Sequence, residues 1–163
     1  MKKLLLLIFL CLIIEPVFAG DLPIVSIDQN RLPYEFSASN YDNSSSNYNN
    51  SVSNYDNSSS NYNNSESNYD NSSSNYNNGR NGSHRLILKD GGALKFAGYF
   101  VTARSGVTNF FSPSGKRMFY NPKNGHAVFN GESGDFCGVL ARFGNDYSLG
   151  LTDEGFKILM LTQ

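Results

Sequence analysis

The sequence predicts an all-β protein: a small antiparallel barrel or sandwich in the C-terminal part, preceded by a low-complexity repeat. After residue 79, turn-forming clusters such as Ser112-Pro113-Ser114-Gly115 recur roughly every eight to fourteen residues, a spacing typical of a β-meander. The segments between the turns are rich in aromatic and aliphatic residues. None of them has the length of an amphipathic helix free of Gly and Pro.

The chain divides by composition into four segments. Residues 1–19 begin with Lys2 and Lys3, continue with apolar residues 4–14 and end on Val17-Phe18-Ala19, which is typical of a signal peptide cleaved after Ala19. This apolar stretch is shorter than the ~20 residues that cross a bilayer. Residues 20–36 form a short N-terminal segment, residues 37–78 the repeat and residues 79–163 the β domain. We therefore expect a secreted or periplasmic protein without a membrane span.

Charge is distributed unevenly along the mature chain. Residues 20–78 contain seven acidic residues and one basic residue, whereas residues 79–163 contain ten basic and six acidic residues. Such asymmetry indicates charged partners or self-contact, although both halves would also simply keep the protein in solution. Cys137 is the only cysteine after the leader, so an intramolecular disulfide is excluded and the fold depends on its core.

The repeat consists of six heptads that pair into the fourteen-residue unit SxSNYDNSSSNYNN, in which x is Ala38, Val52 or Glu66. A coiled coil is excluded because each heptad offers only one tyrosine to an apolar seam. Two alternatives remain. A disordered or loosely structured chain is favoured because so few aliphatic residues offset the cost of ordering. A small solenoid is the other, and a turn in every heptad would then place all tyrosines on one face.

Two kinds of site are suggested within the repeat. The pairs Asp42/Asn43, Asp56/Asn57 and Asp70/Asn71 recur every fourteen residues, but they offer too few oxygens for a calcium site. Asn43-Ser44-Ser45 and its copies match the N-glycosylation sequon. We expect no metal and no cofactor.

The β domain offers eight strand candidates, and an N-terminal segment offers a ninth. Residues 24–27 are apolar and could add an edge strand to the same sheet across the repeat. The last candidate could also form a helical turn. The eight candidates are 85–89, 94–103, 107–111, 116–121, 126–130, 136–143, 147–151 and 156–161.

Catalytic chemistry has one weak candidate pair, Cys137 with His126. Strand alternation places Cys137 on the same inward face as Val139 and Ala141, where a thiol is inert packing. Binding has a better candidate surface, in which aromatic and basic side chains lie close along the middle strands. Its residues are Tyr99, Lys95, Arg104, Lys116, Arg117 and Tyr120.

The function that this sequence favours is that of an exported, non-enzymatic interaction protein. The β domain would recognise a protein or an anionic polymer of the cell envelope, rather than nucleic acid, and the repeat would act as a spacer or surface arm. A Cys-dependent hydrolase using Cys137 and His126 is one alternative. A matrix component that self-associates through its repeat is another.

Overall fold

The computed structural model describes residues 20–144 and 146–163, and these form a closed barrel of eight strands. Each strand pairs with the next along the chain, and the last pairs with the first. The predicted all-β class and small barrel are thus confirmed, whereas the predicted leader, residues 1–19, lies outside the described residues. The strands are β1 (Leu22–Ser26), β2 (Arg85–Asp90), β3 (Ala93–Thr102), β4 (Thr108–Phe111), β5 (Arg117–Asn121), β6 (Ala127–Asn130), β7 (Phe136–Phe143) and β8 (Asp146–Leu151).

The strand that closes the barrel, β1, comes from the segment before the repeat. It runs parallel to both neighbours, and Ile24 pairs with Leu88 of β2 and with Leu149 of β8. The N-terminal segment therefore joins the sheet, but β1 lies between two strands rather than at an edge. Because parallel neighbours need a long crossover connection, the repeat is the crossover from β1 to β2.

Seven strand candidates correspond to β2 through β8, with bounds that differ by at most one residue. The eighth, 156–161, is wrong, because these residues belong to helix α1 (Asp153–Leu161). The side chain of Thr152 accepts a hydrogen bond from the backbone N–H of Gly155, which caps the helix, and two acidic residues occupy its first turn. A Cβ on Gly155 would lie 2.5 Å from the carbonyl oxygen of Cys137, so only glycine fits there.

The barrel interior is filled by aromatic and aliphatic side chains from every strand, and Leu159 of α1 packs into it. This inner core also contains Cys137. Two smaller apolar clusters lie separately from it, one around Tyr120 and Phe129 and one around Ile27 and Val139. The inner core consists of Leu22, Ile24, Leu86, Ala97, Phe100, Phe110, Met118, Phe119, Val128, Cys137, Leu140, Leu149, Leu151 and Leu159.

The repeat forms a solenoid with one heptad per coil. Each heptad makes two tight turns closed by backbone hydrogen bonds, such as Asn47 N–H to the Ser44 oxygen (3.1 Å) and Asn50 N–H to the Asn47 oxygen (2.9 Å). The last asparagine of each heptad points inward and donates to one carbonyl of the preceding coil and to the carbonyl of the first residue of its own heptad. Asn50, for example, bonds the Asp42 and Ser44 oxygens at 2.8 and 2.9 Å.

Polar side chains hold each coil in shape. The fourth residue, asparagine, accepts a bond from the backbone N–H two positions on, as Asn54 does from Asp56 (3.1 Å). The first residue, serine, does the same in all six heptads, as Ser51 does for the N–H of Ser53 (3.1 Å). The expectation of disorder assumes that aliphatic burial must order the chain. Here a ladder of hydrogen bonds supplies the order instead.

The coil before the repeat caps the solenoid. Residues 30–36 form a turn at Tyr34–Phe36 in register with the heptads, and the Glu35 oxygen accepts the first ladder bond from Asn43 (2.7 Å). Phe36 occupies the position at which the heptads have asparagine, and its ring packs with the cluster around Ile27. Repeat proteins typically end in such an atypical, capping coil.

Candidate functional site

The solenoid packs against the outside of the barrel, and two tyrosines of the barrel bond its backbone. The hydroxyl of Tyr99 on β3 donates to the Asn71 oxygen at 2.6 Å, and that of Tyr120 on β5 donates to the Asn50 oxygen at 2.7 Å. Burial raises the pKa of both phenols, so they stay protonated donors at neutral pH. These bonds fix the fifth heptad, which ends at Asn71, and the second, which ends at Asn50, to the same barrel wall.

Arg117 lies at the centre of this interface and is almost fully buried, with 3% of its surface exposed. Its guanidinium donates to the Asn109 side-chain oxygen (2.7 Å) and to the Asn57 backbone oxygen (2.9 Å), and it lies 4.9 Å from the centre of the Tyr120 ring. Burial lowers the pKa of Arg117 to about 10, which leaves it charged at neutral pH. A buried cation held by neutral acceptors and an aromatic face stabilises the contact between repeat and barrel.

The second residue of three heptads contacts the barrel. Val52 packs against the outer cluster of Tyr120 and Phe129, and Glu66 accepts the backbone N–H of Arg117 at 2.7 Å. The equivalent Ser73 donates to the Ser114 oxygen at 3.3 Å. The second residue of each of these heptads therefore meets a different part of the barrel.

The six predicted binding residues are divided between surface and interior. Tyr99, Arg117 and Tyr120 are 1%, 3% and 0% exposed, because the repeat covers them. The other three, Lys95, Arg104 and Lys116, are exposed. Lys116 forms an ion pair with Glu132 (3.1 Å). Half of the aromatic and basic residues that the sequence indicates thus lie in an internal interface.

The predicted catalytic pair is not assembled. Cys137 is 0% exposed within the inner core, and burial, followed by the charges of Asp135 and Glu154, raises the pKa of its thiol to about 12. His126 is exposed just before β6, and its ring packs edge-on against Phe36 at 5.5 Å. In the described part of the chain, no hydrogen bond joins the thiol to this imidazole.

The inward position of Cys137 has a different cause from the predicted alternation. Gly138 pairs with Val128 and Phe136 pairs with Phe129, so the intervening Cys137 has no partner residue across the ladder. This bulge shifts the alternation. Cys137 consequently lies in the inner core, whereas Val139 belongs to an outer cluster, and the prediction that they share a face is wrong.

The remaining predictions for the repeat concern glycosylation and metal binding. The sequon asparagines Asn43, Asn57 and Asn71 are buried, and their amide nitrogens are engaged with backbone carbonyls. Among the described residues, no group of three or more His, Cys, Asp or Glu side chains could hold a metal ion.

Two clefts lie along the seam between repeat and barrel, of about 280 and 450 Å³, and both are lined by Glu66 and Glu132.

The outer side of the solenoid carries one exposed tyrosine per coil, which we term the tyrosine row. The five from Tyr41 to Tyr69 are 61–64% exposed, so each coil presents its ring in the same environment. Within the described residues these side chains make no hydrogen bond or ring contact. The row consists of Tyr34, Tyr41, Tyr48, Tyr55, Tyr62, Tyr69 and Tyr76.

An exposed polar residue follows every tyrosine of the row. From the first heptad onward it alternates between aspartate and asparagine, beginning with Asp42 and Asn49. Only the backbone of these residues takes part in the ladder: the Asp42 oxygen accepts from Asn50, and the Asp42 N–H donates to the Asn40 side chain. The fold therefore uses neither the phenol nor the side chain after it. The only sequence signal for this row was the seven-residue spacing of tyrosine. That spacing predicts a common face only if the chain turns once in every heptad.

Comparisons of the chain with protein-family models, curated proteins and solved structures found no match. Across residues 20–144 and 146–163, no helix combines the length and the hydropathy needed to cross a bilayer.

Proposed function

We propose that this protein is an exported, non-enzymatic binding protein that recognises a partner in the cell envelope or outside the cell through its tyrosine row. The proposal moves recognition from the face of the barrel to the outside of the repeat. The reason is that Tyr99, Arg117 and Tyr120 are covered by the repeat, whereas the tyrosine row is open. Export rests on the leader-like residues 1–19.

The single observation that carries the proposal is the equal exposure of successive tyrosines that do nothing for the fold. Five consecutive members of the row are 61–64% exposed. Large aromatic side chains held in water at regular intervals mark an interaction surface. Because the side chains of the tyrosine and of the residue after it make no hydrogen bond with any described residue of the ladder or the barrel, both remain available for recognition.

The composition of the repeat also suits recognition. Tyrosine, serine and asparagine dominate antibody binding loops, where tyrosine supplies rigid contact area and the small polar residues supply hydrogen bonds. Here the same residues are held on a scaffold that is pinned to the barrel by Tyr99, Arg117 and Tyr120. A platform ordered before binding loses less conformational entropy when the partner binds.

The direct test is binding of labelled residues 20–163 to washed envelopes and to concentrated extracellular material from the producing cells. We expect saturable binding that is lost when Tyr48, Tyr55 and Tyr62 are all replaced by alanine. The matched control is Leu94→Ala, because Leu94 is 75% exposed but lies on β3, outside the row. Equal binding by the triple variant, or no saturable binding to either fraction, would refute the proposal.

A further inference from the structure

We infer that the tyrosine row binds an uncharged, polyhydroxylated polymer, that is, a linear neutral polysaccharide; this inference rests on the proposed function of the row. Three properties of the row select this class of partner. They are its charge, the polar groups between its rings, and its periodicity.

The charge of the row disfavours both a polyanion and a second copy of the row. Residues 34–78 contain no Lys, Arg or His, whereas carboxylates follow four of the tyrosines of the row. A polyanion would meet these like charges along its length. Two rows placed face to face would oppose carboxylate to carboxylate. The four are Glu35, Asp42, Asp56 and Asp70.

The polar groups beside the rings disfavour an apolar or a purely cationic partner. A lipid chain would strip water from exposed amides and hydroxyls and return no hydrogen bonds. A cationic chain would use Asp42 and its equivalents but would leave Asn49 and its equivalents without a role. Sugar hydroxyls both donate and accept, so they can satisfy a carboxylate, an amide and a phenol alike.

The periodicity of the row suits a partner that is itself repetitive. Each coil offers one ring of nearly equal exposure, with an amide or a carboxylate beside it. The apolar C–H face of a sugar can stack on a tyrosine ring, and the next unit along the polymer can engage the next coil. Linked contacts of this kind raise the overall affinity well above that of one ring.

The test is native gel electrophoresis of residues 20–163 in gels that contain a polysaccharide. Four uncharged polymers (laminarin, hydroxyethyl cellulose, xylan and mannan) are compared with two polyanions, alginate and dextran sulfate. We expect retardation by at least one uncharged polymer and by neither polyanion. Replacing Tyr48, Tyr55 and Tyr62 together by alanine should weaken this binding roughly 10- to 1000-fold, from a two- to tenfold loss for each aromatic contact. Leu94→Ala should bind as the wild type does.

The possible failures separate the two proposals. No retardation by any of the four uncharged polymers would overturn the assignment of ligand class. Retardation by polyanions alone, or a concentration-dependent dimer that the triple variant cannot form, would also overturn that class while leaving recognition by the row intact. Unchanged retardation of the triple variant would overturn the role of the row itself. Circular dichroism of each variant shows whether the fold is retained.

Discussion

Replacing Asn64 with alanine tests whether the repeat is held by its hydrogen-bond ladder. Asn64 is 0% exposed, and its amide nitrogen donates to the Asp56 oxygen at 2.6 Å and to the Ser58 oxygen at 3.0 Å. Its side-chain oxygen accepts from the Asn109 amide at 3.0 Å, which ties the coil to β4. The alanine variant therefore leaves two carbonyls and one amide without their partner.

The expected loss follows from these three groups. Each buried polar group left unsatisfied costs about 1–3 kcal/mol. Asn64 borders the smaller seam cleft, from which water can reach part of the gap and offset part of the cost. We therefore expect the free energy of unfolding to fall by about 2–4 kcal/mol. The neighbouring Asn63 is exposed, so Asn63→Ala should change it by less than about 0.5 kcal/mol.

The assay is urea unfolding of residues 20–163 followed by circular dichroism, because the chain contains no tryptophan for fluorescence. The midpoint of Asn64→Ala should shift to lower urea while that of Asn63→Ala stays near the wild type. Equal midpoints for the two variants would refute the ladder as a source of stability. The pair is well matched, since both changes remove the same side chain from adjacent positions of one turn.

Two further predictions concern titratable groups. The Cys137 thiol should resist labelling by maleimide in native protein at pH 8 and react fully in urea, since it is buried with its pKa raised to about 12; rapid native labelling would contradict its place in the core. The free energy of unfolding should fall as pH rises from about 9 to 12. The reason is that the folded pKa of Cys137 lies above its unfolded value of about 9. Burial also raises the folded pKa of Tyr99 and of Tyr120. The lowered pKa of Arg117 opposes this trend above about pH 10, and thermal melts across the range, compared with Cys137→Ala, measure the thiol's share.

The barrel was predictable because its turns and strands obey local rules. Regular spacing of Gly, Pro and Asn located seven strands to within one residue. The C-terminal helix was predicted only as an alternative, because its signals are short: one capping threonine, Thr152, and a glycine, Gly155, which clears the Cys137 carbonyl. The prediction that Cys137 points inward was correct, but its cause is a bulge in the pairing of β6 with β7. Such a bulge cannot be located from the alternation of residues alone.

The interface between repeat and barrel could not be derived from local pattern. Arg117 resembles any surface cation in the sequence, and only the three-dimensional position of Asn57 and Asn109 supplies the acceptors that allow its burial. The closing strand β1 and the crossover could not be derived for the same reason, because they depend on contacts between residues far apart in the chain. The common tyrosine face was foreseen only for the case of one turn per heptad.

The order of the repeat was the hardest feature to judge from composition. Rules for disorder weigh aliphatic burial against chain entropy, and the heptads offer almost no aliphatic side chains. What they offer instead is a donor, the buried asparagine, placed once per coil. It bonds one carbonyl of the previous coil and one of its own, as Asn71 does with Asn63 and Ser65, both at 2.9 Å. Because the asparagine recurs once per coil, the polar groups inside the solenoid find hydrogen-bond partners.

Hydrogen–deuterium exchange of monomeric residues 20–163 tests most directly whether the repeat is an ordered solenoid docked on the barrel. The backbone amides that close the turns should exchange as slowly as those of β4 and β5, because they are bonded and one end of every coil is buried. These amides belong to Asn43, Asn50, Asn57, Asn64, Asn71 and Asn78. Exchange of residues 37–78 at the rate of an unstructured chain, alongside a protected barrel, would contradict the solenoid and with it the tyrosine row.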